Sequence, residues 1–136
     1  MRQFFTLTIL LAATTSKLYA FDIALLLSNH TDLVVTSKGN VNYETTDGAN
    51  IWGESLAPTQ VEVPGKTDYV PQDKLRTDLT HYDLEYFDIY NQDGKLLTSC
   101  MDDYLGISHS TLIKFDLFAY GQAPVRYECH RVLISG

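Results

Sequence analysis

Basic residues are scarce in this chain. Its 136 residues include 10 Lys and Arg against 17 Asp and Glu, so the formal net charge is −7 with histidine neutral. A surface with this excess of carboxylates repels phosphate backbones, which argues against nucleic acid as a partner, and it opposes electrostatic docking on anionic lipid. The charge favours solubility and is compatible with a cationic partner or Ca²⁺.

The chain also lacks an apolar stretch long enough to cross a membrane as a helix. The longest, Phe4 to Ala13, would span about 15 Å of a hydrocarbon core that is roughly 30 Å thick. It follows a short basic start and precedes a polar segment ending in Ala20, which is the layout of a secretory signal peptide. We therefore predict a cleavable leader at residues 1–20 and a single secreted or periplasmic domain at residues 21–136.

Cysteine is limited to one pair, Cys100 and Cys129. Export would take the chain to an oxidising compartment, where an even pair is expected to form a disulfide. In the chain-entropy model, closing this loop would stabilise the fold by roughly 3.6 kcal/mol. The alternative is a reactive thiol, but His130 should point to the opposite strand face from Cys129 and so would not serve as its base.

No segment after the leader has a helical hydrophobic period. Short β-rich runs such as Asp22 to Ser28 and Thr111 to Tyr120 are separated by Gly, Pro, Asn and Asp. Asn91-Gln92-Asp93-Gly94 fits a hairpin loop in which Gly94 supplies the positive φ. The pattern predicts an all-β fold, an antiparallel β-sandwich with one disulfide, and a small β-barrel is the alternative.

The stretch from residue 81 to 90 has an irregular strand pattern. Tyr82, Leu84 and Tyr86 share one face by alternation, whereas Phe87 and Ile89 share the other. A strand cannot exchange its apolar face in this way without a β-bulge, a change of sheet or burial on both sides.

Three further segments are predicted from their composition to be irregular. They are a turn at Ser37-Lys38-Gly39-Asn40, a loop from Lys66 to Thr80 with a short extended piece around Tyr69, and a loop from Asp102 to Ser110 around Gly106.

Catalytic and metal-binding motifs are weak. Ser108-His109-Ser110 lacks the GxSxG pattern, and the four histidines have no HxxxH spacing. His81 and Asp83 share one strand face, either as a dyad or as an ordinary solvent-facing pair. Asp102-Asp103 could gather around Ca²⁺ with the neighbouring hairpin turn, although no EF-hand loop is present. We predict no catalytic residue, no metal site and no cofactor.

Aromatic residues are the better functional signal. Trp52, the chain's one tryptophan, either covers the core or is exposed for stacking on a glycan or at a lipid headgroup. Together with Tyr104, Asp102 and Asp103 it forms our candidate ligand-binding set, on loops from Asp47 to Gly53 and from Asp102 to Ser110. The expected partner is a lipid headgroup or glycan, and the alternative is another exported protein that this chain binds or inhibits.

A series of short segments follows in order between about residues 28 and 120. They are Ser28-Asn29-His30-Thr31, Gly48 to Gly53 with its tryptophan, Val63-Pro64-Gly65, Phe87-Asp88-Ile89-Tyr90 followed by Gly94, and Cys100-Met101-Asp102-Asp103 before Gly106. In this order they resemble the aegerolysins, a family of small acidic β-sandwich proteins. The resemblance implies lipid-headgroup recognition by sandwich loops, with pore formation requiring a separate partner. The family's Trp-rich stretch after the cysteine is here only Asp103-Tyr104-Leu105-Gly106, and a leader is unusual in the family.

Overall fold

The computed structural model describes residues 20–61, 66–69 and 75–135, without the side chains of residues 57–59, 66–69 and 75. The predicted leader up to residue 19, the Pro64-Gly65 turn and Pro71 lie outside this description. Within it, no helix is long and apolar enough to span a membrane.

The described residues form an all-β structure, as predicted, with nine strands in a single hydrogen-bonded sheet. The strands are β1 (Phe21–Asn29), β2 (Val35–Thr45), β3 (Asn50–Val61), β4 (Lys66–Tyr69), β5 (Leu75–Tyr90), β6 (Leu96–Ser99), β7 (Leu105–Ile107), β8 (Thr111–Tyr120) and β9 (Arg126–Ser135). The main strand order is β3-β2-β5-β1-β8-β9, with β4 beside β1 and with β6 and β7 beside β5. The prediction of a purely antiparallel sheet is wrong, because β1 and β8 pair in parallel while the other pairs are antiparallel, so the sheet is mixed.

The sheet curls into a half-barrel around its hydrophobic core. The rings of Phe87 on β5 and Phe115 on β8 stack inside it with centroids 4.4 Å apart, although these two strands are not neighbours in the sheet. Both side chains are fully buried. One continuous sheet therefore encloses the core from both sides, and the predicted two-layered sandwich is not confirmed.

Strand β5 bends because it contains two irregularities. Asp78 has a φ of 56°, and the register with β1 shifts there, so that β5 leaves β1 and continues along β2. Further on, Tyr86 pairs with Asn40 and Leu84 pairs with Val41, which leaves Glu85 as an extra residue in β5. Of the three explanations for the exchange of apolar faces, the β-bulge is the one that the structure contains.

The predicted turn at residues 37–40 is wrong, because β2 runs through it without interruption. A Cβ atom on Gly39 would lie 2.7 Å from Leu56 Cδ1 and 2.8 Å from the carbonyl oxygen of Tyr86. The glycine is therefore needed for close packing between strands and does not mark a turn.

Two of the predicted loops contain strands. Between residues 66 and 80, the extended piece near Tyr69 is confirmed as β4, but β5 already begins at Leu75. Between residues 102 and 110, Gly106 lies in β7 and pairs with Asp83. Strand β7 has three residues, which is too few for alternation to be recognised, and the start of β5 is interrupted by the irregularity at Asp78.

The predicted disulfide and hairpin are confirmed. Cys100 and Cys129 are bonded, with a Cα–Cα distance of 4.8 Å. Cys129 pairs with the buried Leu117, whereas His130 pairs with Asp116 on the opposite face, as expected from alternation. In the hairpin, Gly94 has a φ of 84°.

Candidate ligand-binding face

The solvent-facing side of the sheet, opposite the core, carries the strongest candidate site. We call it the outer face, and it consists of Tyr104, which immediately precedes β7, and of the outward positions of β2, β3, β5 and β7: Asn40, Asn42, Glu44, Trp52, His81, Asp83, Glu85, Tyr86 and Gly106. Cross-strand pairing assigns these positions to one side, because paired residues and every second residue of a strand share a face.

One row across this face joins its two most exposed aromatic residues. Trp52 lies on β3 opposite Asn42 of β2, Asn42 pairs with Asp83 of β5, and Asp83 pairs with Gly106 of β7. Tyr104, two residues before Gly106, projects to the same side. We call this set the aromatic row.

Trp52 projects outward because β3 bulges at this position. Tyr43 pairs with Ile51 and Val41 pairs with Glu54, so that two residues of β3 stand opposite Asn42. Gly53 adopts a φ of 70°, and its N–H donates to Asn42 Oδ1 at 2.6 Å. The indole is left 67% exposed, which decides against a role as a lid on the core.

Tyr104 lies over a glycine at the other end of the row. Its Cε2 atom is 3.7 Å from the position that a Cβ on Gly106 would occupy, and Asp83 Oδ1 is 3.1 Å from that same position. The Tyr104 N–H donates to Asp103 Oδ1 at 2.8 Å, which orients the start of β7. The Tyr104 side chain remains 59% exposed.

Polar groups between the two aromatic residues are held by hydrogen bonds. Asn42 Nδ2 donates to Glu85 Oε1, and Asn42 is buried although it lies on the outer face. His81 Nε2 lies 2.8 Å from Asp83 Oδ2. The second oxygens of these carboxylates can accept hydrogen bonds from a ligand, and the existing contacts reduce the entropy lost on binding.

The outer positions of β2 and β5 are predominantly acidic. They carry Glu44, Asp83, Glu85 and Asp88, against Lys38, whose Nζ lies over the Tyr90 ring. This charge distribution disfavours phosphate, sulfate and other anionic ligands at the aromatic row.

Beside this face, the turn between β2 and β3, which leads the chain to Trp52, is held by hydrogen bonds. The Thr45 hydroxyl donates to the Asp47 carboxylate and lowers the pKa of Asp47, and the Ala49 N–H donates to Asp47 Oδ1 at 3.2 Å with the same effect. On the core side of the sheet, Glu54 pairs with Arg76 Nη2 at 3.0 Å and ties β3 to β5.

The structure brings together two of the four predicted site residues. Trp52 and Tyr104 share the outer face, whereas Asp102 and Asp103 are exposed in the turn that precedes Tyr104. In the described part of the chain, no three His, Cys, Asp or Glu side chains converge as metal ligands. Asn42 and Glu85 also lie on this face but were not predicted from the sequence. For Glu85, the irregular alternation of apolar residues in β5 was a signal that a bulge was present.

A cavity of about 380 Å³ lies apart from the aromatic row, at the base of the hairpin between β5 and β6. Its lining consists of Asn91, Lys95, Leu96, Leu97, Val125 and Tyr127. Asn91 Oδ1 accepts hydrogen bonds from two N–H groups of the hairpin, so this side chain stabilises the turn.

No protein-family model matches the chain, and no curated protein matches it.

Proposed function

We propose that this protein is an exported, non-catalytic binding protein that recognises a glycan on its outer face. The observation that carries the proposal is the exposure of Trp52 and Tyr104 on one side of the sheet, with fixed polar groups between them. Sugar rings present C–H faces that stack on aromatic rings, while their hydroxyls need acceptors such as those of Asp83 and Glu85. The disulfide supports export, because such bonds persist in oxidising compartments.

The aegerolysin resemblance suggests a lipid headgroup in place of a glycan, and a sandwich in which the halves of the curled sheet act as two layers. The stacking of Phe87 on Phe115 supports that view of the fold. We favour the glycan because the candidate residues lie along a sheet face, where a chain of sugars can extend, and because the acidic surroundings oppose anionic membranes.

Intrinsic fluorescence can test the proposal directly, since Trp52 is the chain's one tryptophan and reports from the site itself. Titration with soluble neutral glycans should change its emission, and Trp52→Phe should bind more tightly than Trp52→Ala, as measured by calorimetry. Tyr120→Ala, which removes an exposed tyrosine on β8, should bind like the unaltered protein. Co-sedimentation with liposomes and no response to glycans would support the headgroup alternative instead.

A second candidate function is the binding of another exported protein. Strand β9 ends the strand order, and Val132, Leu133 and Ile134 on it are each more than 40% exposed. Edge strands of this kind accept an added strand from a partner. Under this alternative, one protein should be captured stoichiometrically from the exported fraction, and Val132→Lys should abolish the capture while Trp52→Ala leaves it unchanged.

A further inference from the structure

The geometry of the aromatic row points to one extended, uncharged glycan chain, lying across the strands from Trp52 to Tyr104, as the ligand. This inference rests on the proposed function and specifies its ligand. It follows from the spacing of the two aromatic rings, the twist between them and the charge of the groups that separate them.

The spacing requires a ligand longer than one sugar ring. Trp52 lies on β3 and Tyr104 lies immediately before β7, and these two strands are separated by β2 and β5, which is three steps across the sheet. Neighbouring strands are about 4.8 Å apart, so the two ends of the row are roughly 14 Å apart. A monosaccharide can stack on one end only, whereas a chain of linked rings reaches both.

The twist of the sheet selects a single chain over a flat polymer surface. Adjacent strands are rotated by about 20°, so three steps turn the two ends of the row by roughly 60° relative to each other. A flat crystalline surface cannot lie against Trp52 and Tyr104 together. A single glycan chain can follow the twist, because its glycosidic bonds rotate.

The groups between the rings select an uncharged chain. Asp83 and Glu85 present carboxylate oxygens, which accept hydrogen bonds from sugar hydroxyls. The same carboxylates repel uronic acids and sulfated sugars. The amide oxygen of Asn42 accepts a hydrogen bond from the Gly53 N–H, so Asn42 holds the row in place. The hydrogen-bond acceptors that the ligand would contact are the carboxylates of Asp83 and Glu85 beside it.

The test uses ladders of cello-, laminari- and chito-oligosaccharides, from the disaccharide upward, with calorimetry and Trp52 fluorescence as readouts. In at least one ladder, affinity should rise with length and then level off once the chain spans the row. For the longest member, Trp52→Ala and Tyr104→Ala should each weaken binding about tenfold, whereas the disaccharide should respond to only one of them. The matching crystalline polysaccharide should bind more weakly than the longest soluble oligomer, and heparin should not compete with that oligomer.

The failures of the two proposals differ. Equal affinity for the disaccharide and the longest oligomer, or an effect of only one aromatic residue on the longest oligomer, would overturn the extended-chain inference while glycan binding stood. Absence of both heat and fluorescence change with every ladder would overturn the proposed function itself. Tyr120→Ala, at an exposed position on β8 away from the row, is the control, and circular dichroism shows whether each variant is folded.

Discussion

Asn29, the last residue of β1, should be the polar residue on which the fold depends most. It is fully buried, and its Nδ2 donates to the carbonyl oxygens of Leu33 at 2.6 Å and Val61 at 3.2 Å. Its Oδ1 accepts from the N–H of Thr31 at 3.0 Å and from the Thr31 hydroxyl at 2.7 Å. One amide therefore joins β1, the turn after it and the end of β3.

Replacing Asn29 by aspartate keeps the shape of the side chain but replaces its hydrogen-bond donor, the NH₂ group, by an acceptor oxygen. The contacts to Thr31 survive, but an oxygen then faces two carbonyl oxygens in place of an NH₂ group. Two lost hydrogen bonds at about 1 kcal/mol each, together with the burial of a negative charge that faces two carbonyl oxygens, should lower the free energy of unfolding by about 4 kcal/mol near neutral pH.

The loss should depend on pH with a defined sign. Burial, with one carboxylate oxygen facing two carbonyl oxygens, raises the pKa of the introduced carboxyl in the folded state above its value in the unfolded chain, and the two Thr31 donors offset only part of this rise. At a pH below the unfolded value, both states hold the proton and the loss is smallest. The loss then grows as pH rises from the unfolded pKa to the folded pKa, because the unfolded state releases its proton first.

Urea unfolding followed by circular dichroism, at about pH 4 and about pH 7, measures both effects. Asn50→Asp makes the same chemical change at an exposed position and should stay within about 0.5 kcal/mol of the unaltered protein. If Asn29→Asp were as stable as that control at both pH values, the hydrogen-bonding role given to Asn29 would be refuted.

Three further predictions concern other parts of the fold. Replacing Cys100 and Cys129 together by serine should lower the free energy of unfolding by about 3.6 kcal/mol, and a loss below about 1 kcal/mol would contradict the entropy argument. Gly39→Ala should cost about 2–3 kcal/mol in a urea titration, because its Cβ would lie 2.7 Å from a leucine methyl carbon and 2.8 Å from a carbonyl oxygen; unchanged stability would contradict this packing. Thr45→Val should raise the pKa of Asp47 toward its ordinary value in an NMR titration, so that the small stabilisation lost as pH falls through that pKa becomes smaller, while the Ala49 N–H still contributes to it; an unchanged pKa would rule out the hydroxyl as its cause.

Much of the fold can be predicted from local pattern. Regular alternation identifies β8 over its full length, and the residue types at positions 91–94 identify the hairpin. Strand β2 is harder to predict, because Gly39 and its polar neighbours have the composition of a turn. Only the contact of Gly39 with Leu56 and Tyr86, residues that are distant in sequence, shows why a glycine stands there.

The parallel pairing of β1 with β8 could not be predicted either. The two strands are more than 80 residues apart, and pairing over such a distance depends on the whole path of the chain. Alternation states which side of a strand is apolar, but it does not identify the neighbouring strand or its direction.

The candidate site was predictable in composition and not in arrangement. Trp52 and Tyr104 stand out in the sequence as aromatic residues near glycines, and both are exposed. The sequence suggested loops at one end of a sandwich, whereas the structure aligns these residues across a sheet face. That alignment depends on the register of four strands, which turn residues alone do not specify.

The two bulges beside Asn42 connect the fold to the proposed function. A regular β3 would continue past Asn42 without the extra residue that allows Trp52 to project and Gly53 to donate to the Asn42 amide. A regular β5 would lack Glu85 as the acceptor for the other side of that amide. Bulges disrupt a hydrogen-bonded ladder and are retained where they direct a side chain. The side chain of Asn42 forms a hydrogen bond with the bulged segment of each strand, Gly53 of β3 and Glu85 of β5. The residue that stabilises the irregular sheet therefore also fixes the aromatic row, on which we propose that the glycan lies.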